Sequence, residues 1–343
     1  MNEAQTQSSH ADLASLLDER DIVKVVNRYC FALDTKDWAD LDNVFLPNAT
    51  ADLSTPTLLV GREAIVDRIR AALHHLDDSQ HLVGNHQVTI DGDSATHRCY
   101  LQAQHVRHAA VGGPNYIIGG RYEDQLLRTA HGWRIAHRTL AVMWKEGNLA
   151  VTQGDAQPAP SSASVASTAS ADQPTNPTPT ADQLLITEAC REAARRYSYG
   201  IDRLDVDVMK SAYWPDATDD HGLFVGNAWE FCDRVVSTHD RWTWTMHSIF
   251  NHRIDIDPDG KHARGEMYNV SCLFNEKDRV LSTWYGRYLD TYQRRGDEWR
   301  IHHRVCVHNG DTNQHVPESM GIDAAKFRQA SFDRPANRRP IGP

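Results

Sequence analysis

Two sets of side chains in this sequence have the types and the order that acid–base chemistry needs. Tyr29 and Asp34 close a long apolar-periodic segment, and His81 follows on a segment of alternating character; Tyr197, Asp202 and His247 repeat that order further along. A neutral imidazole titrates near the working pH, so it can take a proton from carbon and hold it. A carboxylate against its other ring nitrogen fixes the tautomer and stabilises the imidazolium, more strongly where apolar surroundings lower the local dielectric. Asp34 and Asp202 fall at the C-terminal end of their helices, where the macrodipole disfavours a carboxylate; a helix formed for stability alone would carry Lys or Arg there. Tyr29 and Tyr197 lie about one turn earlier and are expected to face the same interior.

Further candidates surround these six. Strand alternation is expected to put His81 and Asn85 on one sheet face and His86 on the other, and likewise His247 and Asn251 against His252. Asn85, Asn251, His105 and His221 could line a pocket, the last two in one copy each. Arg138 and Arg304 sit in a repeated Trp-Arg-Ile-x-His-Arg run. Strict alternation places Arg138 opposite Trp133, Ile135 and His137, so both sets point inward only if the strand contains a bulge. Recurring Tyr, His and Asn also fit a blander role, as satisfied polar groups holding helix to sheet. Of 19 His, none falls in an HExxH or Cys-His pattern, so no metal is expected. There is also no glycine-rich phosphate loop, so no cofactor is expected.

The elements that must position these residues come twice. Arg28-Tyr29 and Leu33-Asp34 recur as Arg196-Tyr197 and Ile201-Asp202 at an offset of 168. His81-x-x-x-Asn85-His86, Gly120-Arg121-Tyr122-x-Asp124 and the Trp133 run recur at an offset of 166. Collinear matches at nearly constant spacing establish a tandem duplication, too short for a solenoid. In the first copy the periodicity predicts a helix from Asp12 to Leu33, a short one over 37–45 and a third over 64–74. Alternating segments then follow over 81–90, 95–107, 115–129 and 132–144, between Asp-Gly, Gly-Gly and His-Gly turns. Helices followed by a meander of long antiparallel strands make an α+β fold, with helices on one face of a curved sheet. The organisation expected is an N-terminal tail over 1–11, domains over 12–148 and 184–310, and a C-terminal extension over 311–343. The stretch 149–183 between the domains is Pro, Ser, Ala and Thr with almost no large apolar residue, the composition of a disordered linker.

Composition narrows the partners. The formal net charge is −10 and no basic run occurs, which argues against nucleic acid. No apolar stretch is long enough to span a membrane, and the N-terminus lacks a signal-peptide core. The six cysteines form no CxxC pair and fit reduced, mostly buried thiols, so a cytoplasmic location is expected.

The order of helix Tyr, helix-end Asp, strand His and final Trp-Arg-Ile-x-His-Arg resembles the SnoaL-like family of the NTF2-like superfamily. Scytalone dehydratase, bile-acid dehydratase, hexachlorocyclohexane dehydrochlorinase and ketosteroid isomerase are relatives. The resemblance covers about 13–145 and 184–309 and implies two cone-shaped α+β barrels, each with an apolar pocket and no cofactor. In the dehydratase and dehydrochlorinase relatives a His–Asp pair is the general base, and the matching residues are His81 with Asp34 and His247 with Asp202. Tyr29, Tyr197, Arg138 and Arg304 match positions that bind or protonate a leaving group in some relatives. The expected activity is a β-elimination, dehydratase-like, on an apolar cyclic or aromatic small molecule. Alternatives are an isomerase or aldol-type cyclase using the same base, and a non-catalytic hydrophobic-ligand carrier. The relatives' dimers imply that the two domains pack as a pseudo-dimer, and a further homo-oligomer is compatible with the sequence. His221 tilts the expected activity towards the second copy.

Overall fold

The first helix of each repeat stops by the same backbone device. In a computed structural model describing residues 3–153, 180–239 and 241–316, α1 runs Glu3–Asp34 and α3 runs Ala181–Ile201. Lys36 and Leu204 adopt left-handed φ values of 57° and 51°. The amides of the next residues, Asp37 and Asp205, donate back to the carbonyls of Ala32 and Gly200 at 2.9 Å. This six-to-one closure is a Schellman motif built without glycine at the left-handed position. Asp37 and Asp205 then cap the next helical turn, accepting from the amides of Asp40 and Val208. The carboxylates of Asp34 and Asp202 are thereby fixed just before the turn.

The chain divides into two units, 1–181 and 182–343. In the first, a 3₁₀ turn (Trp38–Asn43) leads into β1 (Phe45–Asp52), β2 (Leu59–Val60), α2 (Arg62–Leu73), β3 (Asp78–Asp91), β4 (Ser94–Val106), β5 (Asn115–Thr129) and β6 (Gly132–Gly147). The second has α4 (Val206–Ser211), β7 (Tyr213–Asp220), β8 (Val225–Asn227), α5 (Ala228–His239), β9 (Trp244–Ile256), β10 (His262–Asn275), β11 (Val280–Arg295) and β12 (Glu298–His315). Each sheet has six strands, ordered β2-β1-β6-β5-β4-β3 and β8-β7-β12-β11-β10-β9. The fold is the expected α+β, with one correction. The sheets are mixed rather than purely antiparallel, because β1 and β7 pair parallel to β6 and β12. These short strands come directly after the 3₁₀ or helical turn and carry Pro47 and Pro215, so alternation alone did not mark them.

The bulge that the arginines required is present in both units. Leu126 faces Ile135 but Gln125 faces His137, which leaves Ala136 unpaired; Tyr292 and Thr291 skip His302 likewise. One extra residue reverses the facing of the rest of the strand. Trp133, Ile135 and Arg138 are consequently all buried. Apolar side chains of helix and sheet fill each core, from Ile22, Val26 and Cys30 against Tyr122 and Leu126 to Cys190 and Ala194 against Met267 and Tyr292. Trp133 is tied to α1 as well as packed, its indole donating to Asp18, which also takes a bidentate pair from Arg128.

Residues 3–11 of the expected N-terminal tail belong to α1, and Leu149–Val151 at the start of the expected linker form a 3₁₀ turn with Val151 buried. Most of the remaining linker and of the C-terminal extension lies outside the described residues. Cys30, Cys99, Cys190 and Cys232 are buried thiols outside any disulfide, and Cys272 and Cys306 are half-buried ones. Among the described residues no helix is long and apolar enough to cross a membrane.

Candidate active site

Each helix-end carboxylate gathers three donors. Asp34 Oδ1 accepts from Ser79 Oγ at 2.7 Å and from His81 Nδ1 at 2.6 Å, and its Oδ2 accepts from the His81 amide at 2.8 Å. Asp202 repeats the set with Thr245 Oγ1 at 2.9 Å, His247 Nδ1 at 2.6 Å and the His247 amide at 2.8 Å. A carboxylate only accepts, so the imidazole proton sits on Nδ1 and Nε2 is left as the base. Burial acts to raise Asp34, but the charge and hydrogen bonds of His81, with help from Ser79, bring its carboxyl below the ordinary range. Asp202 is lowered in the same way, burial being outweighed by His247 and Thr245. The dyads expected from the resemblance are therefore assembled in both units.

A second imidazole flanks each dyad, from different elements. In the first unit it is His105 on β4, edge-on to His81 at 5.5 Å between ring centroids. Its Nδ1 is buried without a hydrogen-bond partner, and burial followed by the proximity of His81 pushes its pKa down to about 3. In the second unit His239, at the end of α5, lies 6.3 Å from His247 and is pushed down to about 4, chiefly by burial. Both are neutral rings at neutral pH.

The arginines belong to a separate buried layer. Arg138 makes two hydrogen bonds to Asp124 at 2.7 and 2.8 Å and lies 4.2 Å from the centroids of both the Tyr29 and Tyr122 rings. Arg304 does the same with Asp290, Tyr197 and Tyr288. Asp124 pairs with His97 on β4 whereas His81 pairs with Ala103, so the two layers are six residues of β4 apart. That is about 20 Å along the strand, and on the helix side Tyr29 and Tyr197 bridge it, about 7.5 Å of helix rise before Asp34 and Asp202. Tyr29 packs edge-on against Phe45 and Tyr122, and burial pushes its phenol up to about 12. Tyr197 differs, because its hydroxyl also lies 3.2 Å from Nε2 of His221.

The repeated Asn positions are not built alike. β3 is irregular between Gly84 and Gln87, and Asn85 there is exposed with a left-handed φ of 56°. The expected facing is thus reversed in this unit: His86 turns inward, its Nδ1 3.0 Å from His97 Nε2, and Asn85 turns out. Asn251 is buried, beside the irregularity of β9. His86, His97 and Cys99 form the one group among the described residues whose donor atoms, within 4.8 Å of one another, could hold a metal ion. The two rings already complete a hydrogen-bonded chain to Asp124, and burial pushes the Cys99 thiol up to about 12. An open groove of about 370 Å³ lies away from the dyads, lined by Arg253, Asp255, Arg264, Glu266 and Thr291.

Several of these groups carry little signal in the sequence. Ser79 and Thr245 were detectable as hydroxyls two residues before each His. Asp124 and Asp290 stood in the repeated Gly-Arg-Tyr-x-Asp run, but only the register shows their arginine partners. Asp219, Asn269 and His239 occur in one copy each and left no repeat signal.

A family model described as a SnoaL-like domain matches residues 14–139 and 182–305. An uncharacterised Mycobacterium tuberculosis protein, Rv2910c, is 29% identical over 133 residues, which is 38% of this chain and 88% of its own length. The solved Kfla4162 protein of Kribbella flavida is 27% identical with a TM-score of 0.38, covering 40% of this chain and 99% of that one. An NTF2-like protein with a cystatin-like fold from Novosphingobium aromaticivorans is 26% identical with a TM-score of 0.34, covering 42% and 93%. Each of these relatives is about the length of one unit.

Proposed function

The chain belongs to the SnoaL-like domain family in both of its halves, and on that footing we propose that it is an acid–base enzyme of the lyase type. The observation that carries this reading is the largely buried carboxylate in each unit that takes both the ring and the backbone N–H of one histidine. Nothing in the packing of a helix end calls for such a group. It costs desolvation and opposes the helix dipole, and part of what it returns is to hold one imidazole in one tautomer. An imidazole held so, with its basic lone pair on Nε2, is equipped to take a proton from carbon. The substrate class is an apolar cyclic or aromatic molecule, and the reaction is loss of a β leaving group from the carbanion-like species that results. Isomerisation or cyclisation would use the same proton abstraction with a different fate for the electron pair.

The base is tested without knowing the natural substrate. In 5-nitrobenzisoxazole a base removes one ring C–H proton while the N–O bond breaks, releasing a coloured cyanophenolate. The full chain should accelerate this elimination, and His81→Ala with His247→Ala should together return it to the buffer rate. A double variant that retains the wild-type rate would remove the dyads from the mechanism and leave them as core polar groups.

A further inference from the structure

One wall of the fold is apolar in the first unit and polar in the second. At the repeat positions of Phe45, Ala51 and Leu53 stand Tyr213, Asp219 and His221. The three side chains form one connected set. Tyr213 donates to Asp219 Oδ2 at 2.8 Å, His221 Nδ1 bonds Asp219 Oδ1, and His221 Nε2 meets the Tyr197 hydroxyl at 3.2 Å. Asp219 is fully buried, and the His221 ring stacks on Phe231 at 4.1 Å with 16% of its side chain exposed. The first unit closes the same wall with hydrocarbon, so the polar replacements are not needed for packing. Each burial of a polar group has a desolvation cost that packing does not return.

A second observation points to a ligand there. Asn269 takes the place of Ala103, fully buried on β10. Its amide nitrogen bonds Ser271 Oγ at 2.9 Å and the Tyr288 hydroxyl at 3.2 Å, while its Oδ1 has no partner. Ser271 pairs with His247 across the strands, and the Tyr288 ring lies 5.9 Å from His221. The orphan acceptor thus stands between the dyad and His221. Helix α5 spans the same interval: Phe231 stacks on His221, and His239 flanks His247 about 12 Å further along.

We infer that Tyr197, His221 and Asp219 form a proton-donating site for a ligand oxygen in the second unit, and that Asn269 accepts the hydrogen of a ligand hydroxyl. The ligand class is a ring bearing phenolic, enolic or alcoholic oxygen. The inference rests on reading His247 with Asp202 as the base, and gives this unit the acid that an elimination also requires. His247 takes the proton from carbon, the C–H pair becomes the new double bond, and the C–O bond breaks towards oxygen. Tyr197 protonates that oxygen and is reprotonated by the imidazolium of His221, which Asp219 orients through Nδ1. His221 then recovers its proton from solvent and His247 releases one. Tyr197 is the catalytic residue; His221 and Asp219 act through it.

The test restores the first unit's wall with the triple variant Tyr213→Phe, Asp219→Ala, His221→Leu in the full chain, beside Tyr197→Phe. Binding of 4-nitrophenol should weaken about tenfold or more in both, the scale of a lost hydrogen bond to a charged group. Elimination of unsubstituted benzisoxazole, whose leaving oxygen is more basic, should fall at least about tenfold more than that of 5-nitrobenzisoxazole. A merely structural role would lower both rates equally. Equal losses, or unchanged 4-nitrophenol binding, overturn the site. If His247→Ala leaves elimination intact the base reading fails, and the 4-nitrophenol result still decides the oxygen site.

Discussion

Replacing Asp34 or Asp202 by Asn separates the two functions of the carboxylate, holding the fold and setting the tautomer. Asp34 accepts three hydrogen bonds, two at Oδ1 and one at Oδ2. An asparagine keeping its oxygen at the Oδ1 position would set its NH₂ against the His81 amide, orphaning a buried donor at a cost of about 1–3 kcal/mol. The flipped amide avoids this. Its oxygen takes the His81 amide, and its NH₂ donates to Ser79 Oγ and to Nδ1 of the ring. That arrangement satisfies the His81 amide and the ring, but only if the imidazole proton moves to Nε2, and it takes from the Ser79 hydroxyl the acceptor of its own hydrogen. Asp34→Asn and Asp202→Asn should therefore cost no more than about 1–3 kcal/mol, the loss of the acceptor of one hydroxyl hydrogen. They should still lower elimination of 5-nitrobenzisoxazole by about 10²–10⁴, the usual worth of a general base. Long-range ¹⁵N–¹H NMR of the imidazoles reads the tautomer directly, with Nδ1–H expected in the wild type and Nε2–H in the variants. Retention of the Nδ1–H tautomer together with the full elimination rate would refute the reasoning.

Single variants His81→Ala and His247→Ala apportion activity between the units; the larger loss in elimination rate is expected from His247→Ala, because only the second unit has Asp219 and His221. His105 is held near pKa 3 against an ordinary value of 6.5, so the folded state binds fewer protons than the unfolded one. Its contribution is intact above pH about 6.5 and is lost as pH falls towards 3, by about 1.4 kcal/mol for the first unit below 6.5. Urea unfolding of His105→Phe, which has nothing to protonate, should show a shallower acid loss than the wild type. Asp124→Ala strands the fully buried Arg138 and should cost about 3–5 kcal/mol, read as a fall in the urea midpoint. Gly286→Ala should destabilise the second unit in the same assay, since a Cβ there would lie 2.3 Å from the Val307 carbonyl oxygen.

Legibility in the sequence extended to whatever the duplication preserved. Constant offsets exposed the repeat, and the repeat picked out Asp34, His81, Asp202 and His247 as positions kept in both copies. Their assembly needed nothing further, since a helix end packed against a strand suffices. Two things were hidden. Bulges add a residue without any mark in composition, so the facing of Asn85 against His86 could not be read from alternation. The partners of buried charges lie on neighbouring strands, so the link from Arg138 to Asp124 depended on register, which a single sequence does not supply.

The differences between the units obey one rule: the geometry is kept while the element that supplies a group changes. The imidazole beside the dyad comes from the sheet as His105 in one unit and from the helix as His239 in the other, where Ser271 occupies the position of His105. The group joining the inward histidine to the buried aspartate changes strand in the same way. His97 on β4 links His86 to Asp124, whereas Tyr292 on β11 links His252 to Asp290. The vacated positions hold Ala263 in the second unit and Leu126 in the first, so each exchange conserves room as well as hydrogen bonding. Compensation of this kind explains how two copies keep the same polar skeleton as their sequences part. The Tyr213, Asp219 and His221 wall is outside the rule, since it fills hydrocarbon positions with a carboxylate, a phenol and an imidazole and has no counterpart elsewhere in the first unit. A change that adds buried polarity without replacing any is the kind expected where a ligand, rather than the core, sets the requirement.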